Sequence, residues 1–259
     1  MTEAIVTIGF GEAAQAFAHV GWRTFDPLAA CMAAAEKQFV TAFQTNAAAV
    51  DGASTILSLV TADQALEAVT TTARSISSDA LFLDMNSVAP ATKRLAARTI
   101  EGRGARYVDV AIMAPVRPGG RSVPLIVSGP HAAAGADALK RAGFTDVRIV
   151  GQDVGQAAAI KMIRSVMVKG IEALTAEMVL AADAAGVRSE VLASLGADWD
   201  TRAAYNIERM ATHGRRRAVE MEEVAETLIA LGVEPVLTRA TVLRQRAAGE
   251  AGMLRDIAA

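Results

Sequence analysis

The stretch AIVTIGFGEAA, residues 4–14, joins a short apolar run to a helix through two closely spaced glycines. Glycine lets the backbone turn sharply and approach a pyrophosphate, which then sits at the start of the following helix. Alanine in the third position is permitted by the G-x-G-x-x-G/A fingerprint. Because the motif has strand–turn–helix context, it predicts a dinucleotide-binding turn. The residues expected to contact the cofactor are Gly9, Phe10, Gly11, Glu12 and Ala13.

Short β-rich runs and helical stretches alternate through the first half of the chain. Several runs are apolar without alternation, as is typical of strands covered by helices on both faces. The alternation predicts an α/β fold, in which a Rossmann-type, parallel, doubly wound sheet forms a domain over residues 1–152. The predicted strands are 4–8, 23–25, 39–43, 55–60, 81–84, 107–110, 125–128 and 148–150.

The pattern becomes helical after residue 152. Asp153-Val-Gly-Gln156 resembles a helix start, and neither proline nor a strand-like run occurs from there to about Ala185. A segment of that length predicts a long central helix packed on several sides. Further helices follow, and we expect them to be interrupted at Gly186, Gly196, Gly214 and Gly232-Val-Glu-Pro235. Residues 153–259 are therefore predicted to form an all-α domain.

Composition excludes several classes of protein. Apolar residues make up 52% and charged residues 21%, which argues against global disorder. A net charge of -2 gives no reason to expect nucleic acid or an anionic membrane as a partner. The single cysteine, Cys31, fits a reducing compartment. No basic leader precedes Ala4, and no uncharged apolar stretch approaches the roughly 20 residues of a membrane span. We expect a cytoplasmic protein with a small-molecule substrate and no metal.

Asp26 is the only acid near the end of the second strand, 15 positions beyond Gly11 where about 20 is usual. It either binds the adenine ribose or caps a helix that begins at Pro27. With Asp26 on the ribose, NAD is preferred, because the 2′-phosphate of NADP would meet a carboxylate. NADP is not excluded. The short spacing predicts a first helix from Glu12 to about Val20.

Polar residues follow two later strands at the edge where strand carboxyl ends meet a cofactor. The apolar Val60 ends one predicted strand and the polar Thr61 follows it, and Thr61 to Gln64 also has capping-box spacing. Asn86 and Ser87 follow the next strand and are expected to reach the nicotinamide ribose or a substrate. Alternatively, Ser87 caps the helix that follows. The glycine- and proline-rich loop of residues 109–120 is of the kind that lines substrate sites.

Lys161, Ser165, Lys169 and Glu172 are spaced i, i+4, i+8 and i+11 and therefore form one stripe on the long helix. Apolar residues flank Lys161, and burial lowers the pKa of a lysine toward the range that acid–base catalysis needs. The alternative is a solvated stripe in which Lys169 and Glu172 pair with each other.

These segments, in this order, resemble the β-hydroxyacid dehydrogenases, which include 3-hydroxyisobutyrate, tartronate-semialdehyde and 6-phosphogluconate dehydrogenases. The glycine turn, residues 84–90, the strand and loop at Asp109, and Gly155-Gln-Ala-Ala-Ala-Ile-Lys161 carry the resemblance, which covers nearly the whole chain. The stretch 213–221 resembles a 6-phosphogluconate-dehydrogenase-like branch. The resemblance implies a helical second domain and Lys161 as the acid/base that takes the substrate hydroxyl proton while hydride passes to the nicotinamide.

Two positions depart from the family pattern. The asparagine expected four residues after the lysine, which orients substrate, is Ser165. The loop serine that grips a carboxylate is replaced by Met113, beside Ala114. An arginine holds a carboxylate bidentately. The expected substrate anchors are therefore Arg164, Arg216 and Arg217.

Two other functions remain open. Imine reductases resemble this family but usually carry aspartate or tyrosine where Lys161 stands, and a dinucleotide-binding sensor without catalysis would tolerate the two altered positions. The long helix is apolar on much of its surface, including Leu174 and residues 178–180. Since the remaining chain is too short to cover it, we expect a two-fold homodimer through the helical domain, in which Arg215–Arg217 approach the partner's cleft.

Overall fold

The computed structural model describes residues 4–250, without the side chain of Glu250. The chain divides into two compact units between Lys161 and Met162. The division falls inside a long helix, whereas the predicted boundary at 152/153 precedes it. Among residues 4–250, no helix combines the length and the apolar character needed to cross a membrane.

The first unit contains an eight-stranded sheet in the order β3-β2-β1-β4-β5-β6-β7-β8. Every strand corresponds to one of the predicted runs, with ends that differ by at most two residues. The strands are β1 Ile5–Ile8, β2 Arg23–Phe25, β3 Thr41–Ala42, β4 Thr55–Ser58, β5 Leu81–Asp84, β6 Arg106–Ile112, β7 Leu125–Ser128 and β8 Val147–Gly151.

The sheet is not wholly parallel, which corrects the sequence-based expectation. Strands β6 and β7 pair antiparallel, with Asp109 opposite Ser128. Their connection holds only a short 3₁₀ turn, Gly120–Ser122, and no crossover helix. A parallel pair needs such a crossover, so the short connection returns the chain in the opposite direction.

Helices cover both faces of the sheet. The central strands are buried along their length, with Ile56 and Phe82 in one core and Leu57 and Leu83 in the other. This explains why these strands read as continuous apolar runs. The helices of the first unit are α1 Glu12–Phe17, α2 Ala29–Lys37, α3 Asn46–Val50, α4 Ala65–Thr72, α5 Pro90–Glu101 and α6 Ala132–Arg141.

Two local predictions in this unit are wrong. Helix α1 ends at Phe17 rather than near Val20, because Ala18 is already extended (φ -49°, ψ 147°) and Gly21 has a positive φ of 87°. Thr61 to Gln64 forms no capping box: residues Ala62–Gln64 make a 3₁₀ turn without a side-chain cap, and α4 begins only at Ala65.

Helix α7, Gln156–Ala184, confirms the predicted long helix and continues into the second unit. The other helices of that unit are α8 Arg188–Leu195, α9 Trp199–Ala230 and α10 Val236–Glu250. A core of apolar residues from α7, α8, α9 and α10 includes Val179, Leu192, Ile207 and Ala248. The second unit is therefore all-helical, as predicted.

Gly214 does not interrupt a helix, contrary to expectation. It lies within the continuous 32-residue helix α9, where α10 crosses closely. A Cβ at Gly214 would lie 2.4 Å from the Gln245 carbonyl oxygen, and one at Gly249 would lie 2.7 Å from the Arg215 nitrogen. Glycine is thus used here for contact between helices, whereas Gly186, Gly196 and Gly232 have positive φ and do end helices.

Candidate active site

The strand order reverses between β1 and β4, because the chain adds β2 and β3 on one side before crossing to the other. In doubly wound folds, ligands bind outside the strand carboxyl ends at such a point. The segments that follow β1, β4, β5 and β6 contain most of the predicted site residues.

The glycine turn after β1 fits closely against the segment after β4. Gly9 has a φ of +90°, and a Cβ there would lie 2.5 Å from the Leu59 carbonyl oxygen, so a larger residue would disturb both segments. Gly11 differs: a Cβ there would meet nothing within 4 Å. The space beside Gly11 is therefore open at the edge where a pyrophosphate is expected, and the turn fits a dinucleotide.

Asp26 is held beside this turn. One carboxylate oxygen accepts the Phe10 N–H at 2.7 Å and the other accepts the Leu28 N–H at 2.8 Å. Helix α2 begins at Ala29 with Leu28 as its N-cap residue, so the alternative in which Asp26 caps a helix starting at Pro27 is wrong. Each carboxylate oxygen has further lone pairs, so the group retains capacity to accept ribose hydroxyls.

Cys31, on α2, lies near Asp26. Burial, followed by the negative charge of Asp26, raises the pKa of the Cys31 thiol. The thiol therefore stays protonated and is a poor nucleophile near neutral pH.

Asn86 ties the segments after β4 and β5 together. Its side-chain oxygen accepts the Val60 N–H at 2.8 Å, and its amide nitrogen donates to the Ser58 hydroxyl at 2.9 Å. The side chain is buried, so its observed contacts fix the backbone at Val60. Thr61 is exposed next to it, and its hydroxyl bonds to Asp63.

The Lys161 ammonium donates to the Ser87 hydroxyl at 2.6 Å, although 74 positions separate the two residues in the chain. The N-cap residue of α5 is Ala89, without a side-chain cap, so the alternative in which Ser87 caps that helix is wrong. Both side chains are partly buried. The contact brings two predicted site residues together at the carboxyl edge of the sheet.

A buried ionic cluster lies at the end of β5 and in the middle of β6. Lys93, fully buried on α5, places its ammonium 3.0 Å from an Asp84 carboxylate oxygen and 3.4 Å from one of Asp109. The Tyr107 hydroxyl donates to Asp84 at 2.6 Å. Burial, and then the charges of Asp84 and Asp109, raise the pKa of the Tyr107 phenol well above its usual value, so it remains a donor.

This buried cluster was not predicted from the sequence. One signal was available: Lys93, Ala96, Ala97 and Ile100 are spaced i, i+3, i+4 and i+7, so the lysine falls on the apolar face of α5. A lysine on that face must be paired with acid when it is buried.

Asp109 also binds the start of α7. Its second carboxylate oxygen accepts the N–H groups of Gly155 and Ala158 at 3.1 and 3.0 Å, and the Ser128 hydroxyl at 3.0 Å. The Ser128 hydroxyl oxygen in turn accepts the Ala157 N–H at 3.0 Å. Amide groups that have no partner inside the helix are thereby satisfied by strands β6 and β7.

The loop after β6 is packed rather than open at its first residues. Met113 is partly buried against Ala111, Ile126 and Ala157, and its N–H donates to the Pro124 carbonyl at 2.9 Å. Ala114 is partly buried against the larger core. The methionine thus packs against a cluster to which Ala157, in the first turn of α7, belongs.

In the second unit, Lys169 and Glu172 are neither solvated nor paired with each other, so the alternative proposed for these two residues is wrong. Both side chains are buried and pair with α9: Lys169 with Glu220 at 2.6 Å, and Glu172 with Arg217 at 2.5 Å. Ser165 is buried on the same stripe.

The three arginines expected to anchor substrate have different surroundings. Arg217 is buried in its ion pair with Glu172. Arg216 is exposed, 3.7 Å from Glu220. Arg164 is exposed on α7. Within residues 4–250, no group of three or more His, Cys, Asp or Glu side chains is arranged to hold a metal ion.

Two family models match the chain. Residues 14–135 match the NAD binding domain of 6-phosphogluconate dehydrogenase, and residues 182–248 match a domain of unknown function, DUF1932. An uncharacterised 28.5 kDa protein in the 7S RNA 5′ region of Methanothermus fervidus is 26% identical over 165 residues. The match covers 62% of this chain, and it spans only 63% of the length of that relative.

Solved structures match nearly the whole chain. A conserved hypothetical protein from Sinorhizobium meliloti 1021 is 34% identical, with a TM-score of 0.71 over 100% of this chain and 96% of that one. A conserved protein of unknown function, described as structurally similar to 3-hydroxyacid dehydrogenases, is 29% identical with a TM-score of 0.72 over 99% of both chains.

More distant structures share the fold. The Mycobacterium tuberculosis 3-hydroxyisobutyrate dehydrogenase, solved with L-serine, has a TM-score of 0.77 at 16% identity over 100% of both chains. A Streptomyces aurantiacus imine reductase has a TM-score of 0.62 at 19% identity, over 96% of this chain and 95% of that one.

Proposed function

We propose that the chain, which belongs to the β-hydroxyacid dehydrogenase superfamily, is a nicotinamide-dependent oxidoreductase acting on a hydroxy acid or its carbonyl counterpart. The observation that carries the proposal is the contact between Lys161 and Ser87 at the carboxyl edge of the sheet. Residues 1–152 would bind the dinucleotide, and residues 153–259 would bind substrate.

The proposed cofactor is NAD, with its pyrophosphate beside Gly11 and its adenine ribose on Asp26. The open space at Gly11 and the two backbone N–H groups that hold Asp26 in place support this arrangement. A carboxylate repels a 2′-phosphate, which favours NAD over NADP. Phe10, Glu12 and Ala13 complete the turn, and Val60, Thr61 and Asn86 follow the adjacent strands. The nicotinamide accepts or supplies the hydride when it is bound.

Lys161 would hold and move the proton. In oxidation, its neutral amine takes the proton of the substrate hydroxyl; in reduction, its ammonium returns a proton to the carbonyl oxygen. The Ser87 hydroxyl accepts from the lysine and thereby orients the ammonium. Ser165, one turn further along α7, would help orient substrate in place of the family's asparagine.

A substrate carboxylate needs a positive partner. We propose Arg164 and Arg216 for that role before Arg217, because the guanidinium of Arg217 already binds the buried Glu172. Met113 and Ala114 would line the substrate with apolar surface where other family members carry a serine.

The proposed assembly is a cytoplasmic homodimer. Five large apolar side chains on α7 are exposed at spacings of three and four residues, and Met167 and Leu174 are 64% and 63% exposed. Such a row on one helix face is typical of a surface that another chain covers. A second copy is proposed as that chain. The row is Ile160, Ile163, Met167, Ile171 and Leu174.

Imine reduction is the second candidate function, because an imine reductase shares the fold. Lys161 argues against it, since that family usually carries aspartate or tyrosine there. A non-catalytic dinucleotide-binding protein is the third candidate.

The test is a pair of titrations and a substrate panel. NADH should bind more tightly than NADPH, and absorbance at the nicotinamide band should change with NAD and a hydroxy acid, but not with NADPH and a cyclic imine. Tight cofactor binding without turnover of any hydroxy acid or imine in the panel would favour the non-catalytic function. Tighter NADPH binding would contradict the role given to Asp26.

A further inference from the structure

Asp109 connects strand β6 to the helix that carries Lys161. It is fully buried in β6, and one of its carboxylate oxygens accepts the N–H groups of Gly155 and Ala158. Ala158 lies three positions before Lys161, within one turn of α7. The position of this carboxylate oxygen therefore determines where the first turns of α7, and with them Lys161, lie relative to the sheet.

The other oxygen of Asp109 faces a different structure. It lies 3.4 Å from the Lys93 ammonium, and no hydrogen bond to it is formed among the described residues. Lys93 in turn donates to the Asp84 carbonyl at 2.6 Å and lies 3.0 Å from the Asp84 carboxylate. Asp84 ends β5 and precedes Ser87 by three positions.

A continuous series of buried contacts thus joins the two segments that present Ser87 and Lys161. Stability alone does not require it, because replacing buried ion pairs with apolar groups is often neutral or stabilising. Proton transfer does require precise placement, since a catalytic group must be held within about 0.5 Å of its working position. Here the group to be placed is the Lys161 ammonium, which lies 2.6 Å from the Ser87 hydroxyl oxygen.

We propose that Asp109 is a positioning residue that, with Lys93, holds the Lys161 ammonium against the Ser87 hydroxyl. This inference rests on the proposed function, in which Lys161 transfers the proton.

The test measures the pH at which Lys161 titrates, which requires no substrate. The chain has five lysines, so after reductive methylation with ¹³C-formaldehyde the Lys161 signal can be assigned in NMR spectra through single Lys→Arg variants. Ser87→Ala removes an acceptor from the charged lysine, which should lower the titration midpoint by about 0.5 pH units or more. Asp109→Ala should lower it by a similar amount.

The double variant distinguishes positioning from a general effect of charge. If Asp109 acts through the Ser87–Lys161 contact, Ser87→Ala with Asp109→Ala should shift the midpoint no further than the larger single change. Shifts that add, or an unchanged midpoint in Asp109→Ala, would overturn the proposal.

Two further variants serve as a replacement in case Asp109→Ala does not fold and as a control for a general loss of stability. If Asp109→Ala does not fold, Asp109→Asn replaces it: the amide oxygen can keep the Ser128, Gly155 and Ala158 donors, while its NH₂ group then faces the Lys93 ammonium. The same downward shift, smaller in size, is expected. Asn46→Ala removes a different buried hydrogen bond, to Thr72 at 3.0 Å, and should lower the melting temperature without moving the midpoint.

Once a substrate is known, steady-state kinetics provide a second, independent measurement of the role of Asp109. Asp109→Asn should lower kcat about 10-fold while the KM and the Kd for NADH stay within about two-fold. Normal activity in Lys161→Met would instead contradict the proposed function, and the NMR result would still decide whether Asp109 positions Lys161.

Discussion

The two units bury their ionic groups in different ways. In the first unit, one lysine, Lys93, lies against two carboxylates, Asp84 at the end of β5 and Asp109 within β6, so the cluster contains more acid than base. In the second unit, helices α7 and α9 are joined by matched pairs, such as Glu172 with Arg217. Each matched pair contains one positive and one negative charge and links one helix to another.

The difference separates two uses of buried charge. A matched pair between helices is a packing device, and losing either partner leaves an uncompensated charge. An unequal cluster on β5 and β6 is harder to explain by packing. It includes Tyr107, whose pKa is raised, and groups with a perturbed pKa concentrate at functional sites. The comparison predicts that changes near the strand ends affect function more than stability, whereas changes between α7 and α9 affect stability more than function.

The largest functional effect is expected at Gly11. Its φ of -74° suits any residue, and an added Cβ meets nothing within 4 Å, so Gly11→Val should fold normally. The new side chain occupies the space proposed for the pyrophosphate, and NADH binding should be abolished in a fluorescence titration. Gly9→Ala is the contrasting variant, because its positive φ and the 2.5 Å approach of Leu59 should lower the melting temperature. Undiminished NADH binding by Gly11→Val would place the cofactor elsewhere.

The next effect concerns Lys161. Lys161→Met keeps length and helix propensity and removes only the ammonium. Turnover should fall roughly 100-fold or more, with NADH affinity unchanged, in steady-state assays on a substrate found by screening. Lys140→Met, at an exposed position on α6, is the matched control and should retain turnover. Equal turnover in the two variants would remove Lys161 from the chemistry.

For the helical unit, the prediction concerns stability. Arg217→Met leaves Glu172 buried without its guanidinium partner, and the free energy of unfolding should fall by about 3–5 kcal/mol in urea denaturation. Arg216→Met is the control: its side chain is exposed, and the change should stay within about 0.5 kcal/mol. If Arg216 anchors substrate as proposed, that variant should raise the KM. Equal stability losses in both variants would contradict the contrast between the two units.

The fold could be predicted largely from the sequence because short stretches of sequence identify most of its strands and helices. Strands β1, β4, β5 and β7 are short, mostly apolar runs, and the glycine turn lies within a few residues of β1. The antiparallel pairing of β7 was missed because it depends on how a loop returns, which alternating strands and helices do not reveal. Gly214 was misread because its contact is with α10, more than 30 positions later in the chain.

The candidate site was only partly predictable for the same reason. The resemblance to a known family singled out Lys161, but its partner Ser87 lies 74 positions earlier, and no spacing rule joins them. The capping of α7 by Asp109 spans 46 and 49 positions. Contacts of this length are created by the strand order, so they follow from the topology and not from any short motif.

The smallest effect is expected at Asp63, in the turn after β4. Unlike the buried ionic clusters, this residue is exposed. Hydrogen bonds from Thr61 and then Gln64 lower the pKa of the Asp63 carboxyl below its ordinary value of 3.8. Its contribution to stability is therefore fully present above the unfolded-state pKa and is lost as the pH falls through the folded-state pKa.

Asp63→Asn should consequently lower the melting temperature at pH 7 by no more than about 2 °C, because the site is exposed and such changes are small. The difference from the unmodified protein should shrink as the pH falls through the folded-state pKa of Asp63, which lies below 3.8, because the carboxyl is then neutral like the amide that replaces it. Thermal denaturation followed by circular dichroism between about pH 7 and pH 3 measures this. A difference that grows with acidification would mean that the hydrogen bonds of Asp63 do not favour its charged form.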